Sequence, residues 1–218
     1  MKTNTKINMM AVMMSILVAG CSSDKVYTQS NQGGDELDKK VREFLNSREY
    51  SWRDMNVPES DGQLLYDIIV KNNYKSAVEI GTSTGHSGIW IAWALSKTGG
   101  KLITIEIDED RHKEALANFE KAGVSAFVDA RLADAHDLVP KLSGQFDFVF
   151  SDADKDWYTN YFKALDPKLV VGGCFTAHNV GMSGVREYFE YVSRLPNYKT
   201  TVDKRGGGMA ISYKTATR

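Results

Sequence analysis

The sequence predicts an α/β protein: a mostly parallel sheet with helices on both faces and an antiparallel strand closing one edge. Three observations carry this. Short apolar runs at 76–80, 101–106 and 146–150 alternate with longer amphipathic segments, the pattern of strands joined by crossover helices. Glycines stand at 81, 85 and 88, directly after the first run, where a strand must turn into a helix. Near the end, Y-K-T-T-V-D and M-A-I-S-Y-K flank R-G-G-G, which reads as a hairpin. The resulting order is β-α-β-α-β-α-β-α-β-α-β-β, without internal repeat.

The 218 residues, 42% hydrophobic and 25% charged, suffice for one substantial core, so one domain is expected. A formal net charge of -1 leaves no basic footprint for nucleic acid. Cys21 and Cys174 lie far apart with neither C-x-x-C nor metal-ligand spacing, and no disulfide is expected. Cys174 sits within an apolar strand and reads as a packing residue.

Residues 1–20 have a lysine-bearing start, an apolar stretch from Ile7 to Ala19 and small residues before a cysteine, which reads as a secretory signal too short to span a membrane. Val18-Ala19-Gly20-Cys21 resembles the lipobox of bacterial lipoproteins, with Val in place of the usual Leu. That resemblance implies export, lipidation at Cys21 and a membrane contact made through this anchor alone; if the signal is not used, the protein is cytoplasmic. Residues 21–35 are polar and read as a flexible tether, leaving 36–218 as the folded domain.

Leu37, Val41, Phe44 and Leu45 recur at helical spacing from Glu36 to Arg48. A second helix carries Leu64, Leu65, Ile68 and Ile69, with Ser60 or Glu59 as its cap. The loop between them holds Trp52, Met55 and Val57, which either cover a ligand or pack in the core. A helix spans Glu109 to Lys121 and stops at Gly123. A strand near 126–132 leads into A-D-A at 133–135, and a short helix follows over 136–142. A further helix runs from Val185 to Arg194, ahead of Pro196.

The unit from Ser76 to Asp108 is built to hold a nucleoside. A dinucleotide site would place G-x-G-x-x-G after the first strand to seat a pyrophosphate on the helix N-terminus. Here the spacing is G-x-x-x-G-x-x-G, and Glu79 would repel a pyrophosphate while suiting a cation. Glu106, ending the next strand, suits ribose hydroxyls. A ligand with a ribose and a positive charge, such as S-adenosylmethionine, satisfies both; a nicotinamide-dependent oxidoreductase is disfavoured by the same residues. Strand Phe146–Phe150 ends in Asp152, Asp154 and Asp156 with Lys155 among them, and a fifth strand ends in His178-Asn179. Such positions outside the carboxyl ends of parallel strands are where ligands bind. Asp154 and Asp156 read as solvated loop charges. His86, in the glycine loop, can touch the ligand, while His112 and His136 have no nameable partner.

With V-E-I-G-T-S-T-G-H-S, I-T-I-E-I-D, A-D-A, F-D-F-V-F-S-D-A-D-K and the G-G…H-N-V strand in place, the chain from about 36 to 214 resembles the class I methyltransferase fold. Within it, the chain is similar to the cation-dependent O-methyltransferases typified by caffeoyl-CoA and catechol O-methyltransferases. The resemblance implies a Rossmann-like, seven-stranded sheet with its last strand antiparallel, and often a homodimer. It also implies methyl transfer from S-adenosylmethionine to a small hydroxylated, catechol-like acceptor. Met55 and Val57 then line the cofactor from the N-terminal loop. Glu79, Gly81 and Ser87 lie around its methionine end, Glu106 grips the ribose, Asp134 and Ala135 border the adenine, and Asp152 stands where cofactor and metal sites meet. Lys155 falls at the family's catalytic lysine. Because a phenol has a pKa near 10, the chemistry asks for a base or for a cation that stabilises the oxygen charge.

The chain departs from that pattern at the metal. The family's ligands are an aspartate after strand four and an Asp-Asn pair after strand five; here they are Asp152, then His178-Asn179. Exchanging a carboxylate for an imidazole makes an all-oxygen magnesium site less favourable. His178 is left as a ligand for a softer metal such as Zn, Mn or Fe, a metal-free base, or a hydrogen-bonding wall residue. The competing function is a lipid-anchored binding protein that kept the fold and lost turnover, because export would separate the chain from cytoplasmic S-adenosylmethionine.

Overall fold

The computed structural model describes residues 23–49, 51–52 and 55–217, with the backbone alone for 23–33 and 35. The signal segment and Cys21 lie outside the described residues. Seven strands form one sheet in the order β3-β2-β1-β4-β5-β7-β6. They are β1 (Ser76–Ile80), β2 (Lys101–Glu106), β3 (Val128–Leu132), β4 (Phe146–Ser151), β5 (Leu169–His178), β6 (Tyr198–Asp203) and β7 (Met209–Lys214). The first five pair in parallel, whereas β7 runs antiparallel to both β5 and β6. The α/β class and the antiparallel last strand therefore agree with the expectation.

Strand alternation sends neighbouring side chains to opposite faces, and both faces are covered. On one face Ala77, Leu102, Phe148, Phe150 and Cys174 meet Leu65, Ile68 and Ile69 of α2 (Glu59–Asn72) and Ile91, Ala94 and Leu95 of α3 (His86–Thr98). An outer layer on that side joins Val41 and Leu45 of α1 (Ser23–Arg48) to Trp90 and Trp93 of α3 and Phe119 of α4 (Glu109–Ala122). On the other face Val78, Ile80, Val149 and Phe175 pack against α6 (Tyr158–Leu165) and α7 (Ser183–Ser193), largely through Tyr158, Phe162 and Tyr188. A four-residue α5 (Ala135–Leu138) lies between β3 and β4. Cys174 is a free, fully buried thiol whose pKa burial pushes up, which suits packing and not nucleophilic chemistry.

Several local expectations shift. α1 is helical from Ser23, so the stretch read as a tether is continuous with the helix placed at Glu36. α2 has Pro58 at its N-cap and no side-chain cap; neither Ser60 nor Glu59 caps it, because both already lie in its first turn. α4 has the cap that α2 lacks, since Asp108 accepts from the backbone N–H groups of Asp110 and Arg111, and left-handed Gly123 ends it as expected. The helix expected over 136–142 divides into α5 and a 3-10 turn at Val139–Lys141, where Pro140 removes a backbone donor.

The strand order places the topological switch between β1 and β4. Chains leaving these two strands diverge there, and the crevice outside their carboxyl ends is the natural ligand site. The Asp152 N–H donates to the Ile80 carbonyl at 2.9 Å, which fixes the exit of β4 beside the Gly81 turn.

Candidate functional site

A cavity of about 650 Å3 opens at that switch point. Its walls come from the carboxyl ends of β1, β2, β3, β4 and β5 and from the loop ahead of α2. Gly81, at φ 95°, is required there: a Cβ would stand 2.9 Å from the Asp152 carbonyl oxygen, so only glycine lets the two strand ends touch. Three non-glycine residues among those described have left-handed backbone, and two of them, Ser83 and Asn179, line the cavity. Such strain persists where the surroundings enforce it.

At one end of the cavity stands Glu106. Its carboxylate accepts from the backbone N–H of Ser83 at 2.7 Å through Oε2 and from those of Ile107 and Asp108 at 3.1 and 3.0 Å through Oε1. Three backbone donors fix this group and fill both sites of Oε1 and one of Oε2, leaving acceptor capacity on Oε2 for a ribose hydroxyl. Asp134 and Ala135 follow on the wall after β3, where Asp134 accepts from the His136 N–H at 2.8 Å. His136 stands 3.3 Å from both Asp134 and Asp154 and packs on Trp157, with ring centroids 4.0 Å apart. Asp154 is therefore a wall residue with a partner, not simply a solvated charge. Met55, Ile107 and Met182, all more than half exposed, make an apolar rim.

Glu79, Ser87 and Val57 stand behind the wall instead of on it. Glu79 is fully buried beneath the Gly81 turn, and Thr104 donates to its Oε2 at 2.5 Å. Burial pushes its pKa up to about 8, against the hydrogen bonds from Ser87 and Thr104 and with added repulsion from Asp152 and Glu106. Val57 is buried beside a second, smaller cavity, and its carbonyl lies 2.8 Å from His86 Nδ1. Trp90 Nε1–H can only donate and lies 3.2 Å from His86 Nε2, so Nδ1 carries the ring proton. Burial takes the His86 pKa down to about 4, and this neutral histidine lines the smaller cavity and not the one at the switch point.

At the far end Asp152, Lys155 and His178 form one chain of contacts. Lys155 Nζ donates to Asp152 Oδ1 at 2.5 Å and to the Asp152 carbonyl at 3.3 Å. His178 Nδ1 is 3.1 Å from Asp152 Oδ2, and its Nε2 is 2.8 Å from Oδ2 of Asp61 in α2. Asp61, 1% exposed, also accepts from the Gly207 N–H at 2.8 Å, so the turn between β6 and β7 is tied to the same carboxylate. Methyl groups at Gly206 or Gly207 would overlap Asp61 or His178, which explains the glycine run. Burial alone would lower the His178 pKa, but hydrogen bonds and attraction from Asp152 and Asp61 outweigh it and push it up to about 9.

Sequence reasoning found Asp152, Lys155, His178 and Asn179, all on the wall. It missed Asp61. The available signal was its spacing: Asp61, Leu65, Ile68 and Ile69 share one helical face, so an acid stands in the apolar stripe and must have a buried partner.

These two raised values set a pH dependence. The folded protein holds protons that the unfolded chain has released, so stability falls with rising pH, for Glu79 between 4.5 and about 8 and for His178 between 6.5 and about 9. Where the ranges overlap the slope is roughly 1–3 kcal/mol per pH unit. Urea melts of the ligand-free protein are expected to show a lower midpoint at about pH 8.5 than at about pH 6.5, and Glu79→Gln to flatten the trend. A flat profile in the parent would show that neither group keeps its proton.

A seven-stranded sheet with this order, an acid pinned at the end of β2 and an aspartate–lysine pair after β4 define a class I methyltransferase fold. The chain belongs to the O-methyltransferase family, whose profile matches residues 28–190. Caffeoyl-CoA O-methyltransferase 1 of Eucalyptus globulus is 34% identical over 151 residues, covering 67% of this chain and 60% of that protein. Caffeoyl-CoA O-methyltransferase 2 of the same plant is 32% identical over 186 residues, covering 77% and 74%. The first of these matches thus spans less than two thirds of the plant protein's length. Among solved structures, the O-methyltransferase TomG from Streptomyces achromogenes in complex with SAM aligns with a TM-score of 0.70 at 27% identity, covering 83% of this chain and 89% of that one.

Proposed function

We propose that this chain transfers the methyl group of S-adenosylmethionine to a hydroxyl of a small phenolic, catechol-like acceptor. The observation that carries this reading is a single cavity, in a member of the O-methyltransferase family, with a pinned ribose acceptor at one end and the Asp152–Lys155–His178 chain at the other. S-adenosylmethionine, when bound, supplies a methyl carbon whose bond to the sulfonium sulfur breaks as its bond to the acceptor oxygen forms.

This chain's residues supply binding and charge. Glu106 accepts from a ribose hydroxyl, Asp134 and Ala135 border the adenine, and Gly81 lets the ligand approach the backbone. Glu79 and Ser87 act from behind the wall by setting the potential at the methionine end, Met55 covers the mouth, and Val57 holds the loop that carries it. Lys155 presents an N–H group toward the acceptor end, and Asp152 fixes both Lys155 and His178, whose own nitrogens are turned to Asp152 and Asp61. An acceptor hydroxyl beside this donor ionises more readily than in water and releases its proton to solvent.

The test is calorimetry on the full chain. S-adenosylmethionine is expected to bind, and Glu106→Ala to weaken it by about 10–100-fold through the lost charge-assisted hydrogen bond. No binding to the parent would sink the proposal. Binding without methyl transfer to any of a panel of catechols would favour a binding protein without turnover.

Export and membrane anchoring remain part of this proposal, supported by Val18-Ala19-Gly20-Cys21 and the apolar segment before it. Mass spectrometry of the mature N-terminus is expected to show a lipidated Cys21; an intact Met1 would sink that part alone.

A further inference from the structure

We infer that the acceptor end of this site works without a divalent cation, its place being taken by the side chain of His178 clamped between Asp61 and Asp152. The inference rests on the methyl-transfer reading and concerns how the acceptor oxygen is met.

The argument is one of occupied ligand atoms. An imidazole binds a metal through a nitrogen lone pair, and both His178 nitrogens face carboxylate oxygens, Nδ1 toward Asp152 at 3.1 Å and Nε2 toward Asp61 at 2.8 Å. Asp152 is engaged on both oxygens as well, Oδ1 by the Lys155 ammonium at 2.5 Å and Oδ2 by His178, so a metal would have to share it with both. Among the described residues no cluster of three or more histidine, cysteine or acidic side chains is arranged around a common point for a metal.

Charge and space agree. The Lys155 ammonium, 2.5 Å from Asp152 Oδ1, already brings a positive charge to that carboxylate. Magnesium also keeps several waters and asks for near-octahedral oxygen geometry. The glycine turn at 206–207 packs against Asp61 and His178 so closely that even a Cβ has no room on that side. Asp61 is accordingly a positioning residue: from α2 it holds the imidazole in the place where the related pattern has a second metal-binding carboxylate.

The test is Mn2+ binding by the full chain after chelator treatment, measured by calorimetry and by electron paramagnetic resonance of the free ion. The parent is expected to show no saturable site tighter than about 1 mM. His178→Asp, which restores a carboxylate and removes the competing donor, is expected to bind Mn2+ at least about 10-fold more tightly than the parent. A parent site in the micromolar range that Asp152→Asn abolishes would overturn the inference. Should His178→Asp fail to fold, nitrogen NMR of the parent decides: both His178 nitrogens are expected to carry protons and to keep their signals in MgCl2. Loss of either proton to a bound metal would overturn it. These readouts need no methyl acceptor, so failure to bind S-adenosylmethionine would remove the proposed function and leave this result standing or falling on its own.

Discussion

Asp61→Ala is expected to destabilise the protein by about 3–5 kcal/mol, the cost of removing one partner from a buried, hydrogen-bonded charge pair. Asp61 is 1% exposed and accepts from two elements that are distant in sequence, His178 at the end of β5 and the Gly207 N–H in the β6–β7 turn. Its loss leaves one side of the imidazole and one backbone N–H without acceptors in a place water reaches poorly. Asp61→Asn keeps the shape and one acceptor oxygen and should cost less than the alanine. Urea denaturation at about pH 6.5 measures both, and Asp61→Ala should also flatten the fall in stability between pH 6.5 and about 9, because the imidazole then keeps one carboxylate instead of two. A loss below about 1 kcal/mol would mean that the pair is solvated and that the turn is held by other contacts.

That residue also marks the boundary of what the sequence discloses. Strands buried on both faces are continuous apolar runs, so β1, β2, β4 and β5 can be read directly, and their carboxyl ends locate Gly81, Glu106, Asp152 and His178 without coordinates. What a one-dimensional pattern cannot supply is which distant element leans on those ends. Asp61 in the first turn of a helix looks like an ordinary dipole-complementing acid, and the turn at 204–208 looks like a hairpin connection. Both acquire a role only because β7 inserts between β5 and β6, which carries the glycine turn over His178. The same limit applies to Glu79, Ser87 and Val57. Their positions near the glycine loop are legible, but strand alternation and the depth of the turn decide that they stand behind the wall.

Lys155→Met is expected to lower the rate of methyl transfer by about 10²–10³-fold while leaving S-adenosylmethionine affinity within about 3-fold, the pattern of a group that stabilises charge developing on the acceptor oxygen. Lys155 follows Asp154 into a short 3-10 turn and directs its ammonium back at the Asp152 carboxylate and carbonyl. Two of its three N–H donors are used there, and with its side chain on the cavity wall the third is available to an acceptor. Methionine keeps the length and the packing over the Tyr158 ring, 5.4 Å from Nζ, so the change removes charge and donors with little change in volume. Lys155→Arg tests geometry separately, because a planar fork cannot satisfy the compact site that an ammonium does, and recovery should be partial at best. Initial rates with a catechol-type acceptor, set beside calorimetric affinity for S-adenosylmethionine, separate the outcomes. A rate loss under about 5-fold would reduce Lys155 to an anchor for the loop after β4, and a parallel loss of cofactor affinity would place its effect on binding and not on the transferring oxygen.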